Sequence, residues 1–163
     1  MDVSLHEMDL PLLQAYYRDF QMDLDRFMDM AQYREYVYAP KRVEAYFERL
    51  RSDPNRVDFL VMLGEAPVGE VALKRIDRAA RTCELSIHLQ NDAMKNRGYG
   101  TQAERLAVAY AFDVLGMETV LADAMRKNAR SQRVLEKVGF ARTGEEDAFI
   151  YYQLKRDEWK EKT

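Results

Sequence analysis

Disulfides, metal clusters and membrane spans are all beyond what this sequence can build. It holds one cysteine, Cys83, so no internal disulfide can form and a cysteine-rich zinc site is excluded. Its two histidines, His6 and His88, lie far apart in the chain, and no metal is expected. No apolar run approaches the roughly 20 residues that a membrane helix needs, so no membrane partner is expected. Met1-Asp2-Val3-Ser4 lacks the basic segment and apolar stretch of a secretory signal. Lys and Arg number 25 against 28 Asp and Glu, a net charge of −3, which argues against a nucleic-acid binder that works by neutralising phosphates. Repeats and low-complexity segments are missing too. What is present, 163 residues at 47% apolar and 33% charged, suits one compact domain over residues 1–163. A cytoplasmic enzyme or small-ligand binder fits that composition best.

The pattern of apolar residues predicts an alternation of helices and strands. Val3 to Met8 reads as a first strand, and Asp9 before Leu10-Pro11 as a helix cap. Leu13, Tyr16, Tyr17 and Phe20 then recur at helical spacing. From Asp19 to Pro40, acids such as Asp23, Asp25, Asp29 and Glu35 mix with Met22, Phe27, Met28, Met30, Tyr33, Tyr36 and Tyr38. That segment reads as a helix and loop with its acids in water, or as a pocket wall for a cationic substrate. Pro40 opens a helix carrying Val43, Tyr46, Phe47 and Leu50. Val57 to Leu63, Val68 to Lys74 and Thr82 to Gln90 read as three meandering antiparallel strands. In the last, Cys83, Leu85, Ile87 and Leu89 face one side, and Glu84, Ser86, His88 and Gln90 the other. A long helix up to Gly116 follows, with Tyr99, Ala103, Leu106, Ala107, Tyr110 and Val114 as its packing stripe. Thr119 to Ala122, a helix from Asn128 to Val138, Phe140 to Thr143 and Phe149 to Leu154 complete the chain. The expected fold class is α/β: a mixed, mostly antiparallel sheet of about seven strands flanked by about four helices.

Gly98 and Gly100 stand at the mouth of the long helix, where glycine lets the backbone bend and approach a ligand. Amide groups at a helix start have no intrahelical partner and carry the positive end of the macrodipole, so a phosphate is the natural guest. A P-loop fails here, because Gly100 is followed by Thr101 and not by Lys. A dinucleotide fingerprint is met literally by Gly98-Tyr99-Gly100-Thr101-Gln102-Ala103, with Asp123 about 20 residues on. Its context argues against it, since the polar run Asn91 to Arg97 separates the strand from the first glycine and no repeated strand-helix-strand units follow, and a Rossmann-type dinucleotide binder stays the lesser alternative.

Lys95-Asn96-Arg97-Gly98-Tyr99-Gly100 resembles the acetyl-CoA diphosphate loop of the GCN5-related N-acetyltransferase (GNAT) family, Gln/Arg-x-x-Gly-x-Gly/Ala. Asn128-x-x-Ser131-x-x-Val134-x-x-Lys137-x-Gly139-Phe140 is similar to a later motif of that family, especially in the branch of ribosomal-protein N-terminal acetyltransferases. The likeness runs from about Val57 to Trp159. Lys95 departs from the usual first residue, a mild change because the loop acts through backbone amides.

The resemblance implies acetyl-CoA as acyl donor and a primary amine, of a small molecule or a protein N-terminus, as acceptor. It places the diphosphate on Lys95, Asn96, Arg97, Gly98, Tyr99, Gly100 and Thr101. The pantetheine arm falls along the strand edge Ile87, His88, Leu89 and Gln90, with Asn128 and Ser131 beside it. Direct attack by a neutral amine needs a proton acceptor. Glu84, on the polar face of the strand leading to the loop, is the preferred base, although it could equally be a cross-strand ion-pair partner. His88 is four residues on, roughly 13 Å away at about 3.3 Å per residue, and cannot serve the same proton. The tyrosine that many family members use to protonate the leaving thiolate is replaced by Leu135. Ser131 is the nearest polar substitute, with Tyr151, Tyr152 or water as further options. The missing tyrosine also keeps open a silent acyl-CoA-binding module. Oligomeric state, a dimer included, is not fixed by these residues.

Overall fold

A computed structural model of the chain describes residues 2–21 and 35–159. The expectations for Met22 to Tyr33 and for the last residues of the tail lie outside the described residues. Seven strands form one sheet: β1 (Ser4–Glu7), β2 (Val57–Leu63), β3 (Ala66–Asp77), β4 (Thr82–Leu89), β5 (Thr119–Met125), β6 (Ala141–Glu145) and β7 (Phe149–Lys155). Their spatial order is β1-β2-β3-β4-β5-β7-β6. Every neighbouring pair is antiparallel except β4 and β5, which run parallel because a helix connects them.

Four α-helices flank the sheet among the described residues: α1 (Leu10–Arg18), α2 (Pro40–Arg51), α3 (Tyr99–Asp113) and α4 (Ala129–Val138). Their ends follow local chemistry. The Asp9 carboxylate accepts the Leu12 amide at 2.9 Å, and Pro11 and Pro40 sit in the first turns of α1 and α2. Gly116 and Gly139 take positive φ just beyond α3 and α4. No helix among the described residues is long and apolar enough to cross a membrane.

Strand parity sends side chains to two cores. Phe59, Val61, Val71, Leu73, Cys83, Leu85, Val120, Ala122 and Leu154 pack with Ala103, Ala107, Val108, Ala111 and Phe112 of α3 and Leu135 and Val138 of α4. On the opposite face Leu60 and Met62 pack with Leu13 and Tyr16 of α1 and Val43 of α2. β2 is buried on both faces, so its apolar run is continuous and not alternating. The packing stripe of α3 needs correction. Leu106 is 41% and Val114 63% exposed, whereas Glu104, Val108 and Phe112 are buried. Tyr99, Ala103 and Ala107 are buried as expected, and the inner face also takes in the charged Glu104.

Candidate functional site

β4 and β5 pair only over Thr82↔Thr119, Cys83↔Val120 and Glu84↔Leu121. Beyond that point each strand keeps its other neighbour: β4 stays on β3 as far as Leu89, and β5 stays on β7 as far as Met125. The two strands therefore part, and a cleft of about 410 Å³ opens between Leu85–Leu89 and Ala122–Met125. It passes through the sheet. Glu84, Ser86 and His88 wall it on one face, and Gly100, Val134 and Leu135 on the other. Cys83, paired with Val120 where the strands are still joined, does not line the cleft; burial pushes its thiol pKa up to about 11 and leaves it a poor nucleophile at neutral pH.

The loop from β4 to α3 bends through a short turn at Asp92–Met94, then through positive φ at Asn96 (60°) and Gly98 (84°). Only glycine holds the second of these without strain. Gly98 is the N-cap of α3 and no side chain caps it, so the first amides of the helix point outward without a side-chain acceptor. Gly100 lines the cleft, and a Cβ there would point at Val134 Cγ1, 4.0 Å away. Lys95 lines it too, its side chain 8% exposed and ion-paired to Asp92 at 2.6 Å. These features suit an anion at the mouth with an extended arm running inward. Asn96, Arg97, Gly98, Tyr99 and Thr101 surround that mouth without lining the cleft. Arg97 Nε donates to the Ala93 carbonyl at 2.7 Å, and the Tyr99 ring packs in the core.

Ile87, His88 and Leu89 form one wall of the cleft. Gln90 does not. Its amide donates to Val68, its carbonyl accepts from Gln21, and its side-chain amide donates to the Tyr16 carbonyl at 2.8 Å, so it ties α1 to the sheet. Asn128 and Ser131 both line the cleft from α4. The Asn128 carboxamide oxygen accepts the Ser131 backbone amide at 3.1 Å, which caps α4 and fixes the Asn128 side chain. Glu84 stands where the strands part, with an ion pair of 3.4 Å to the exposed Arg75. Tyr151 donates to Glu146 at the surface and Tyr152 is buried in the core, so neither faces the cleft.

Two acids escaped the sequence reading. Glu70 of β3, 5% exposed, accepts hydrogen bonds from the Tyr17 hydroxyl, from the Tyr46 hydroxyl at 3.0 Å and from His88 Nε2 at 2.7 Å. The Tyr16 hydroxyl meets His88 Nδ1 at 2.7 Å, so both ring nitrogens of His88 are occupied. Burial alone would raise the Glu70 pKa, but the hydrogen bond and charge of His88, then the two hydroxyls, hold it below the usual carboxylate range. Burial, followed by the Glu70 charge, pushes the Tyr17 and Tyr46 hydroxyls well above theirs. The second acid is Glu104 of α3, 2% exposed, which also lines the cleft. A lone acid inside an apolar stripe was the available signal for each. Among the described residues, no group of three or more His, Cys, Asp or Glu is placed to hold a metal.

Comparison with known proteins identifies the family and the fold. Residues 5–141 match the family model described as the acetyltransferase (GNAT) domain. Over 105 residues the chain is 34% identical to a probable N-acetyltransferase, YjcK, of Bacillus subtilis (strain 168), covering 64% of this chain and 58% of that protein. The chain thus spans less than two thirds of that relative's length. Among solved structures, Mycobacterium smegmatis RimJ in complex with CoA-disulfide superposes with a TM-score of 0.79 at 16% identity, covering 96% of this chain and 83% of that one. A spermidine N-acetyltransferase from Vibrio cholerae superposes with a TM-score of 0.75 at 17% identity, over 96% and 95% of the two chains. At such identities the superpositions speak to fold alone.

Proposed function

The chain belongs to the GNAT acetyltransferase family, and on that premise we propose that it is a cytoplasmic N-acetyltransferase that uses acetyl-CoA to acetylate a primary amine. The parting of β4 from β5 beside an uncapped, glycine-led helix start carries this reading, because it offers a diphosphate cradle and an arm-sized cleft in one place. Bound there, acetyl-CoA supplies a thioester carbonyl open to attack. The amides that start α3 hold its diphosphate, with Lys95 adding positive charge. The strand segment Ile87 to Leu89, which walls the cleft, and the side chain of Asn128 hold its arm.

The remaining chemistry falls to residues of the cleft wall. Glu84 takes the proton from the attacking amine, directly or through a water, and its position where the strands part supports that role. His88 is a poor base because both nitrogens are already bonded. Ser131, on the wall opposite, relays a proton to the departing sulfur in place of the absent tyrosine at Leu135. The acceptor is a small-molecule amine or a protein N-terminus. The acids between Asp19 and Glu35 support a cationic one, and a structural relative acts on spermidine, as its name states. The test is free-thiol release from acetyl-CoA across a panel of polyamines, amino compounds and peptide N-termini. Thiol release with at least one amine is the expected result. Binding of acetyl-CoA with no release for any amine would leave only a silent acyl-CoA binder.

A further inference from the structure

One group on the cleft wall has no part in that chemistry. The Glu104 side chain is almost wholly buried and lines the cleft with Gly100, Ile87, Ala124 and Val134. Among the described residues its Oε2 has no hydrogen-bond partner. Leaving a carboxyl group dry and unpaired costs stability, whereas a leucine there would only add apolar contact. Burial alone pushes its pKa up to about 8. At neutral pH the side chain therefore carries a proton and is a hydrogen-bond donor as well as an acceptor.

Its depth in the cleft identifies the group it would meet. α3 begins at the diphosphate cradle and returns along the cleft towards the start of β5. Four residues at about 1.5 Å each put Glu104 roughly 6 Å deeper than Gly100. Four or five extended single bonds span about the same length, which from a CoA phosphate leads to the pantoyl unit of the pantetheine arm. Resting on the acyl-CoA reading, we propose that Glu104 binds the arm of the acyl donor as a neutral acid, donating its carboxyl hydrogen to an oxygen of the pantoyl unit. The ionised form has no hydrogen to give and adds negative charge next to a diphosphate, so it does not bind. The other charged or titratable groups on the cleft wall are Lys74 and Glu84 by the closed end, His88 on β4, Lys95 in the loop, Asp123 on β5 and Arg130 on α4. None of them contributes to the shift at Glu104.

Calorimetric titration from pH 7.5 to 9 tests this, with acetyl-CoA as one probe and adenosine 3′,5′-bisphosphate, which lacks the arm, as the other. For the wild type, acetyl-CoA affinity falls above pH 8, approaching tenfold per pH unit. Glu104→Gln, whose amide still donates, binds within about threefold of wild type at pH 7.5 and shows no such fall. Glu104→Leu binds acetyl-CoA about tenfold more weakly at pH 7.5, the value of one hydrogen bond, and all three proteins bind the bisphosphate alike. Equal acetyl-CoA affinity for wild type and Glu104→Leu overturns the proposal, as does a pH slope that persists in Glu104→Gln. A wild type that binds neither probe overturns the acyl-CoA reading itself, and this one with it, which is a different result from variants that bind equally.

Discussion

Glu70 and Glu104 are both buried carboxyls, yet their surroundings drive them in opposite directions. Glu70 meets three donors and stays ionised with a depressed pKa; Glu104 has no partner for its Oε2 among the described residues and holds its proton. The linkage signs follow. For Glu104 the native state keeps a proton that the unfolded chain releases near pH 4.5, so stability declines as pH rises from about 5 to 8 and levels off above. Glu104→Gln should abolish that decline and gain roughly 4 kcal/mol over wild type at pH 8, read from urea melts at several pH values. For Glu70 the stabilisation is present above the unfolded value near 4.5 and lost as pH falls below it. Glu70→Ala would strand two tyrosine hydroxyls and an imidazole in the core, and a loss of about 3 kcal/mol is expected in the same melts. Glu84 differs from both because it faces the cleft with a solvent-accessible partner. Glu84→Gln should lower kcat about 100-fold while leaving the calorimetric affinity for acetyl-CoA unchanged. A fall in affinity with kcat intact would make it a binding residue instead.

At the level of elements, the start of α3 is the point where sequence and ligand chemistry meet. Gly98 has φ of 84°, and a Cβ there would find only the Gln102 side-chain nitrogen at 3.8 Å, so strain and not collision penalises substitution. Gly98→Ala should cost about 1 kcal/mol of stability and spare most of the binding. Gly98→Asp should lose affinity for acetyl-CoA by at least tenfold, since the new carboxylate would occupy the amides proposed above as the diphosphate cradle. Equal affinities for the two variants would count against the cradle. The bend of this loop was legible in the sequence because it depends on a glycine and a helix start, both local features. Strand positions were legible for the same reason, through parity and turn residues. The site's deeper parts were not. Glu70 meets His88 only through the β3–β4 register, and its tyrosines arrive from α1 and α2, more than 20 residues before it. Glu104 was hidden by the rule that puts charges outside, so the inner face of α3 was read without it, although Tyr99, Ala103 and Ala107 are buried as expected. The role of Gln90 as a tie to α1 likewise depends on a helix 70 residues upstream, which no pattern within β4 reveals.

For the molecule as a whole, the cleft is also the weakest seam of the sheet. β1 to β4 form one antiparallel block and β5, β7 and β6 another, and they join across just three register pairs of β4 and β5. α3 and α4 reinforce the seam on one face, through the core they share with both blocks. A ligand lying between Leu85–Leu89 and Ala122–Met125 would hydrogen-bond to one block and pack against the other, so binding should tighten their union. Acetyl-CoA at 100 times its Kd adds about 2.7 kcal/mol to native-state stability. For a domain of this size that corresponds to a rise in Tm of about 5–10 °C. Adenosine 3′,5′-bisphosphate at the same multiple of its own Kd should raise Tm equally, because linkage depends on saturation and not on where the contacts fall. Amide hydrogen exchange separates the two ligands. Only acetyl-CoA should slow exchange along Ile87 to Leu89 and Ala122 to Met125, whereas both should slow it at Tyr99 to Thr101. Protection confined to the start of α3 with both ligands would mean that the arm lies outside the sheet and that the parted strands serve some other purpose.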